Sequence, residues 1–140
     1  MTTVADCRIV DLPRINRPEG SLTPVEAGRT VPFDIARIYY IYDVVQGSSR
    51  GGHAHVALHQ LIVAAMSRFA VVVDDGTSLR QIELDRANQG LYIPPMIWRE
   101  LIGFSSGAVC IVLASMPYDE ADYIRDRGAF LAAKGVGGPR

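Results

Sequence analysis

The chain is poor in lysine, cysteine and long apolar runs, and each shortage excludes something. Lys134 is its only lysine among 14 basic residues, a bias toward arginine that carries little weight by itself. Cys7 and Cys110 are the only cysteines. Without CxxC spacing or an export signal they read as reduced, buried thiols rather than a disulfide framework. The apolar stretches "LIVAAM" and "AVVV" are broken by polar residues within a few positions, too short to span a bilayer. The N-terminal "MTTVADCRIVDLPRINRP" lacks a basic segment followed by an apolar one, so no secretory signal is read and a cytoplasmic location is expected. The charge nearly cancels, at −1, which argues against binding nucleic acid by bulk phosphate attraction. There is no glycine-rich dinucleotide fingerprint, hence no expectation of a redox cofactor.

At 140 residues the chain is expected to form one domain, residues 1–140, large enough to bury a core without staples. Glycine and proline punctuate it at short intervals. Between them lie short segments rich in Val, Ile and Tyr: "RIYYIYDVV", "HQLIVAAM", "FAVVVDD", "SLRQIEL", "GLYIPP", "WRELIGF" and "AVCIVLAS". These read as strands, and "DDGTS" as a hairpin turn in which Asp-Gly supplies positive φ. The pattern predicts an all-β fold, an antiparallel sandwich or barrel. Boundary signals predict one helical segment over 117–134, with acids early, Lys134 at its end and Gly135 after it. Residues 1–30, with Pro13, Pro18 and Pro24, read as a looser arm with a possible strand at "GSLTPVEA". Residues 135–140 read as a tail.

Chemistry concentrates in "SSRGGHAHVALHQ" (48–60). In a strand, His53 and His55 share one face, and Gly51 and Gly52 permit a tight bend before them. This stretch and the later "G-x3-P-P-x3-W" resemble the two motifs of the cupin jelly roll. Metal-binding cupins add a glutamate, whose place here falls at His59 or Gln60, and a final histidine, whose place falls at Arg99. Arginine offers only donors and cannot ligate a metal. Extended strand alternation puts His59 on the face of His53 and His55, so a three-nitrogen zinc site stays open on spacing alone. The favoured expectation is metal-free proton chemistry: a neutral imidazole takes a proton beside a ketone, and a tyrosine or guanidinium steadies the enediolate oxygen. "RIYYIYDVV" offers Arg37 and Tyr39 on one face and Tyr40 and Tyr42 on the other; alternation alone does not choose between them.

With these residues placed, the chain resembles the nucleotide-sugar 3,4-ketoisomerases of the cupin superfamily, which act on dTDP-4-keto-6-deoxyglucose. The resemblance runs through "EGSL", "VPFDIARIYYIYD", "RGGHAH", "VVVDDG", "GLYIPPMIWRE", "FSSGAVCIVLAS" and "YDEADYIRDRGAF", from about residue 19 to 130. It implies a cupin jelly roll and movement of the keto group from C4 to C3 through an enediol, without a metal or cofactor. By this resemblance His53 is the base at C3, His55 its partner, and Tyr39 an active-site tyrosine, which selects the Arg37/Tyr39 face as the inner one. Arg37, Arg50, Arg99 and Glu19 are the implied substrate-binding residues. A homodimer that exchanges N-terminal strands is also implied. The sequence departs from the family at "MSRF" (66–69), where a turn glycine is usual. Rival expectations are a 3,5-epimerase on the same sugars, a metal-dependent oxygenase, and a non-catalytic sugar-nucleotide binder.

Overall fold

The computed structural model describes residues 1–136; of the tail expected at 135–140, residues 137–140 lie outside it. Twelve strands and one helix follow in order: β1 Arg8–Asp11, β2 Ile15–Arg17, β3 Gly20–Leu22, β4 Arg37–Ile41, β5 Arg50–His55, β6 Gln60–Met66, β7 Phe69–Asp74, β8 Leu79–Leu84, β9 Gln89–Ile93, β10 Trp98–Ile102, β11 Val109–Ala114, β12 Tyr123–Ile124 and α1 Arg127–Ala133. Ten of the strands form two five-stranded antiparallel sheets, ordered β1-β9-β6-β11-β4 and β12-β5-β10-β7-β8. The two sheets face each other as a jelly-roll sandwich, and every predicted strand segment contributes one.

Alternation explains the core. Ile62 and Ala64 of β6, Val71 and Val73 of β7, Leu91 and Ile93 of β9, and Cys110 and Val112 of β11 point between the sheets and are buried. The intervening Leu61, Val63, Tyr92 and Leu113 point outward, yet they too are buried, beneath Val31, Phe33 and Ile35. Hence "HQLIVAAM" is apolar on both faces: a loop covers the sheet's outer side. On the second sheet α1 plays the covering part, with Phe130 fully buried against Trp98 and Ala54.

The arm of residues 1–30 is only partly loose. Its β1 pairs with β9, and the main-chain N–H of Val4 donates to Asp75 Oδ2 at 2.8 Å. The β2–β3 hairpin stands apart as a two-stranded sheet with every residue exposed. The expected helix over 117–134 is corrected. Only Arg127–Ala133 is α-helical; before it come a 3₁₀ turn at Glu120–Asp122 and β12, which pairs with β5. Two aspartates divide the segment: Asp119 caps the first turn through Ala121 N–H, and Asp126 caps α1 through Ala129 N–H.

Lys134 closes this end of the fold. Its ammonium is buried and donates to the carbonyl oxygens of Thr2 at 2.7 Å and Met96 at 3.0 Å. Met96 sits at φ 63° and donates its own N–H to the carbonyl of His55 at 2.7 Å.

The β6–β7 hairpin turns at "MSRF" without the usual glycine, and Ser67 takes the left-handed conformation at φ 58°. That region costs an L-residue about 1–2 kcal/mol. Glycine relieves the strain but adds freedom to the unfolded chain. Ser67→Gly also gives up the exposed hydrogen bond from the Ser67 hydroxyl to the Ser106 carbonyl at 3.1 Å. The opposing effects are expected to leave stability within about 1 kcal/mol of the native chain, a change in Tm of less than about 5 °C by calorimetry.

Candidate active site

A cavity of about 520 Å³ opens between the sheets. Arg37 and Tyr39 from β4, Arg50 and His53 from β5, Gln60 from β6 and Arg99 from β10 line it, and Tyr118, Tyr123 and Arg125 complete the mouth. The Arg37/Tyr39 face is inward, while Ile38, Tyr40 and Tyr42 are exposed.

The histidine pair depends on the glycines before it. Gly51 and Gly52 lie at φ 89° and 74°, and a Cβ on Gly51 would come within 3.0 Å of the Arg99 carbonyl oxygen. Only glycine permits both the backbone angle and that approach. The His53 and His55 rings then meet edge to face at 4.8 Å, with the Tyr123 ring 4.9 Å from the first and 4.3 Å from the second. His53 lines the cavity. His55 lies behind it, 1% exposed, with Nδ1 3.1 Å from Asp122 Oδ2. Burial, reinforced by the Arg99 charge, lowers His53 to about 4 and His55 to about 2. Both rings are therefore neutral at neutral pH, the form that accepts a proton.

Arg99 is the largest fully buried side chain. It forms no surface ion pair: Nε and Nη2 donate to the Ile97 carbonyl at 3.2 and 3.0 Å, and Nη1 donates to Gln60 Oε1 at 2.5 Å. Burial brings its pKa down to about 10, so it remains a cation. Gln60 Nε2 in turn donates to the Tyr39 oxygen at 3.2 Å. Since that oxygen is the acceptor, the Tyr39 proton is left for another partner. Arg37 Nε is buried without a hydrogen-bond partner among the described residues, its guanidinium packed against the rings of Tyr39 and Tyr118. Arg37, Arg50 and Arg99 make the cavity cationic, suited to an anionic ligand, while Arg125 is paired with Glu120 at 2.6 Å.

Two sequence expectations change. His59 does not join the pair: strand β5 ends at His55, and His59 faces the outer layer, with Nδ1 2.7 Å from the Tyr92 hydroxyl and its ring stacked on Phe33. Glu19 is exposed at the β2–β3 turn and does not line the cavity of its own chain. The cupin metal positions are filled by His53, His55, Gln60 and Arg99, and the Gln60 oxygen is already engaged by a guanidinium. This donor set does not suit a cation, and no cluster of three His, Cys, Asp or Glu able to hold one occurs among the described residues. Reading from residue types missed Asp122, Tyr118, Tyr123 and Arg125, all within the "YDEADYIR" that marked the resemblance.

Comparisons with known proteins agree with this architecture. The family model described as "FdtA: WxcM-like, C-terminal" matches residues 5–135. The chain is 41% identical over 123 residues to the TDP-4-oxo-6-deoxy-α-D-glucose-3,4-oxoisomerase of Aneurinibacillus thermoaerophilus, covering 88% of each. A 3,4-ketoisomerase from Helicobacter canadensis superposes with a TM-score of 0.90 at 41% identity, over 93% of this chain and 98% of that one. A mutant of the 3,4-ketoisomerase QdtA from Thermoanaerobacterium thermosaccharolyticum, in complex with TDP-4-keto-6-deoxyglucose, superposes with a TM-score of 0.90 at 36% identity, over 91% and 93%. By family match, identity and fold together, the chain belongs to the FdtA, WxcM-like family of sugar-nucleotide 3,4-ketoisomerases.

Proposed function

We propose that this chain is a 3,4-ketoisomerase that moves the keto group of dTDP-4-keto-6-deoxyglucose from C4 to C3 by metal-independent acid–base catalysis. The observation that carries the reading is a neutral His53 on the wall of a cationic cavity, with a buried guanidinium beside it on the same sheet and a tyrosine hydroxyl on the facing sheet. His53 takes the C3 proton, and the electron pair left at C3 becomes the double bond to C4 as the C4 oxygen turns into an alkoxide. Arg99 and the Tyr39 hydroxyl donate to that oxygen. The C3 hydroxyl proton then passes to the C4 oxygen, which becomes the hydroxyl, as C3 becomes the carbonyl and carbon C4 takes a proton in place of the one lost from C3. Atoms are conserved, so no electron acceptor is needed. His55 relays the hydroxyl proton, while Arg37 and Arg50 hold the diphosphate.

The assembly that fits is a homodimer exchanging the exposed β2–β3 hairpin, with Glu19 meeting the cavity of the other subunit. No helix among the described residues is long and apolar enough to cross a membrane, and a cytoplasmic location accords with a nucleotide-sugar substrate.

The test is to incubate the exhaustively chelated protein with dTDP-4-keto-6-deoxyglucose in deuterated water and follow C3 and C4 by NMR. A 3-keto product with solvent deuterium at C4 is expected, and its coupling constants give the C4 configuration. Deuterium at C5 would indicate 3,5-epimerisation instead. Activity lost on chelation and restored by one metal would overturn the metal-independent mechanism.

A further inference from the structure

We propose that Asp122 is a positioning residue of this site: its carboxylate holds the His55 imidazole as the Nδ1–H tautomer and leaves Nε2 as the bare, proton-accepting nitrogen. The inference deepens the ketoisomerase reading and rests on it.

Asp122 has little freedom to do otherwise. Its Oδ2 lies 3.1 Å from His55 Nδ1, and its Oδ1 accepts from the Ala57 N–H at 2.8 Å. Its carbonyl accepts from the Val56 N–H at 2.9 Å, and its own N–H donates to the Asp119 carbonyl at 3.0 Å. The next residue, Tyr123, pairs with His55 across β12 and β5. Carboxylate and imidazole are both buried, 8% and 1% exposed. An ionised carboxylate only accepts, and a neutral imidazole carries a single N–H. The proton therefore sits on Nδ1, between ring and carboxylate. His55 Nε2 is buried with no hydrogen-bond partner among the described residues. Its ring stands against those of His53 and Tyr123, which both line the cavity. In the other tautomer the ring would offer a donor there and no lone pair, and the relay through His55 would have no acceptor.

Asp122→Asn separates position from chemistry. The Ala57 N–H draws the amide oxygen, so the amide NH₂ turns to Nδ1 and forces the hydrogen onto Nε2. Turnover is expected to fall by about 10²–10⁴-fold, as when a histidine is held in the wrong tautomer. KM should stay within about threefold, because Asp122 does not line the cavity and contributes no uniform binding. Long-range ¹H–¹⁵N spectra of histidine-labelled protein read the tautomer directly: Nδ1–H at His55 in the native chain, Nε2–H in the variant. Asp122→Glu, which keeps a carboxylate, should retain the native tautomer and recover part of the turnover.

Native spectra showing Nε2–H at His55 would overturn the proposal, as would a switched tautomer with unchanged turnover. If the asparagine variant does not fold, the native spectra alone decide. Failure of the native protein to make the 3-keto sugar would sink the ketoisomerase reading, while the spectra would still report on Asp122.

Discussion

Replacing His53 with asparagine is expected to lower turnover by about 10²–10⁴-fold, the usual worth of a general base, with the fold intact. Asparagine is smaller than histidine and fits the same space beside His55 and Tyr123, and His53 is only half-buried at the cavity wall. The variant keeps the polar wall but has no group that accepts a proton. The base it removes is weak, since burial first and the arginine charges next hold His53 at about 4. Weakness in the base is tolerable if the carbon acid is correspondingly acidic, which requires strong donors at the C4 oxygen. Isotope exchange at C3, turnover and thermal melting measured together check this. Unchanged turnover would remove His53 from the base position.

Arg99→Met is expected to cost about 10²–10³-fold in turnover, as for loss of an oxyanion donor, while changing stability by less than about 2 kcal/mol. The second half is the sharper claim. Arg99 is fully buried with no carboxylate partner; its hydrogen bonds go to the Ile97 carbonyl and Gln60. Removing it leaves those two oxygens unpaired but also ends the cost of burying a charge, so the terms oppose. The same substitution removes the second-largest cause of the low His53 pKa. That value should rise from about 4 without reaching 6.5, because burial, the larger cause, remains. Turnover, urea unfolding and an NMR titration of His53 test the three parts. A stability loss well above about 3 kcal/mol with normal turnover per folded molecule would make Arg99 a structural tie instead.

The strands were legible because each is short, β-branched and bounded by turn residues, and the inward face of β4 became legible through the family resemblance. Three features were not. The acids of "YDEADYIRD" read as one helix's first turn, but Asp119 and Asp126 each cap a turn of their own, and Tyr123 and Ile124 between them prefer a sheet edge. His59 was placed by carrying period-two alternation past the end of β5, where the chain turns at Val56 and Ala57 and crosses to the other sheet. Arg99 reads as a substrate-binding residue, but its complete burial does not show in the sequence. Its burial follows from β10 lying between β5 and β7, a long-range pairing that local pattern does not reveal. Asp122 belongs with the first of these: once the segment is not a helix, its carboxylate is free to turn toward β5.

The Lys134 anchor has a practical meaning for protein chemistry. The chain's single side-chain amine is closed in by Thr2 and Met96, so acylating and reductive-methylating reagents meet no reactive lysine on the folded surface. Modification at that position requires the C-terminal helix to lift from the Met96 turn, the turn that also holds the His55 carbonyl. The extent of amine labelling at one residue thus becomes a clock for how often the support beneath the histidine pair comes undone.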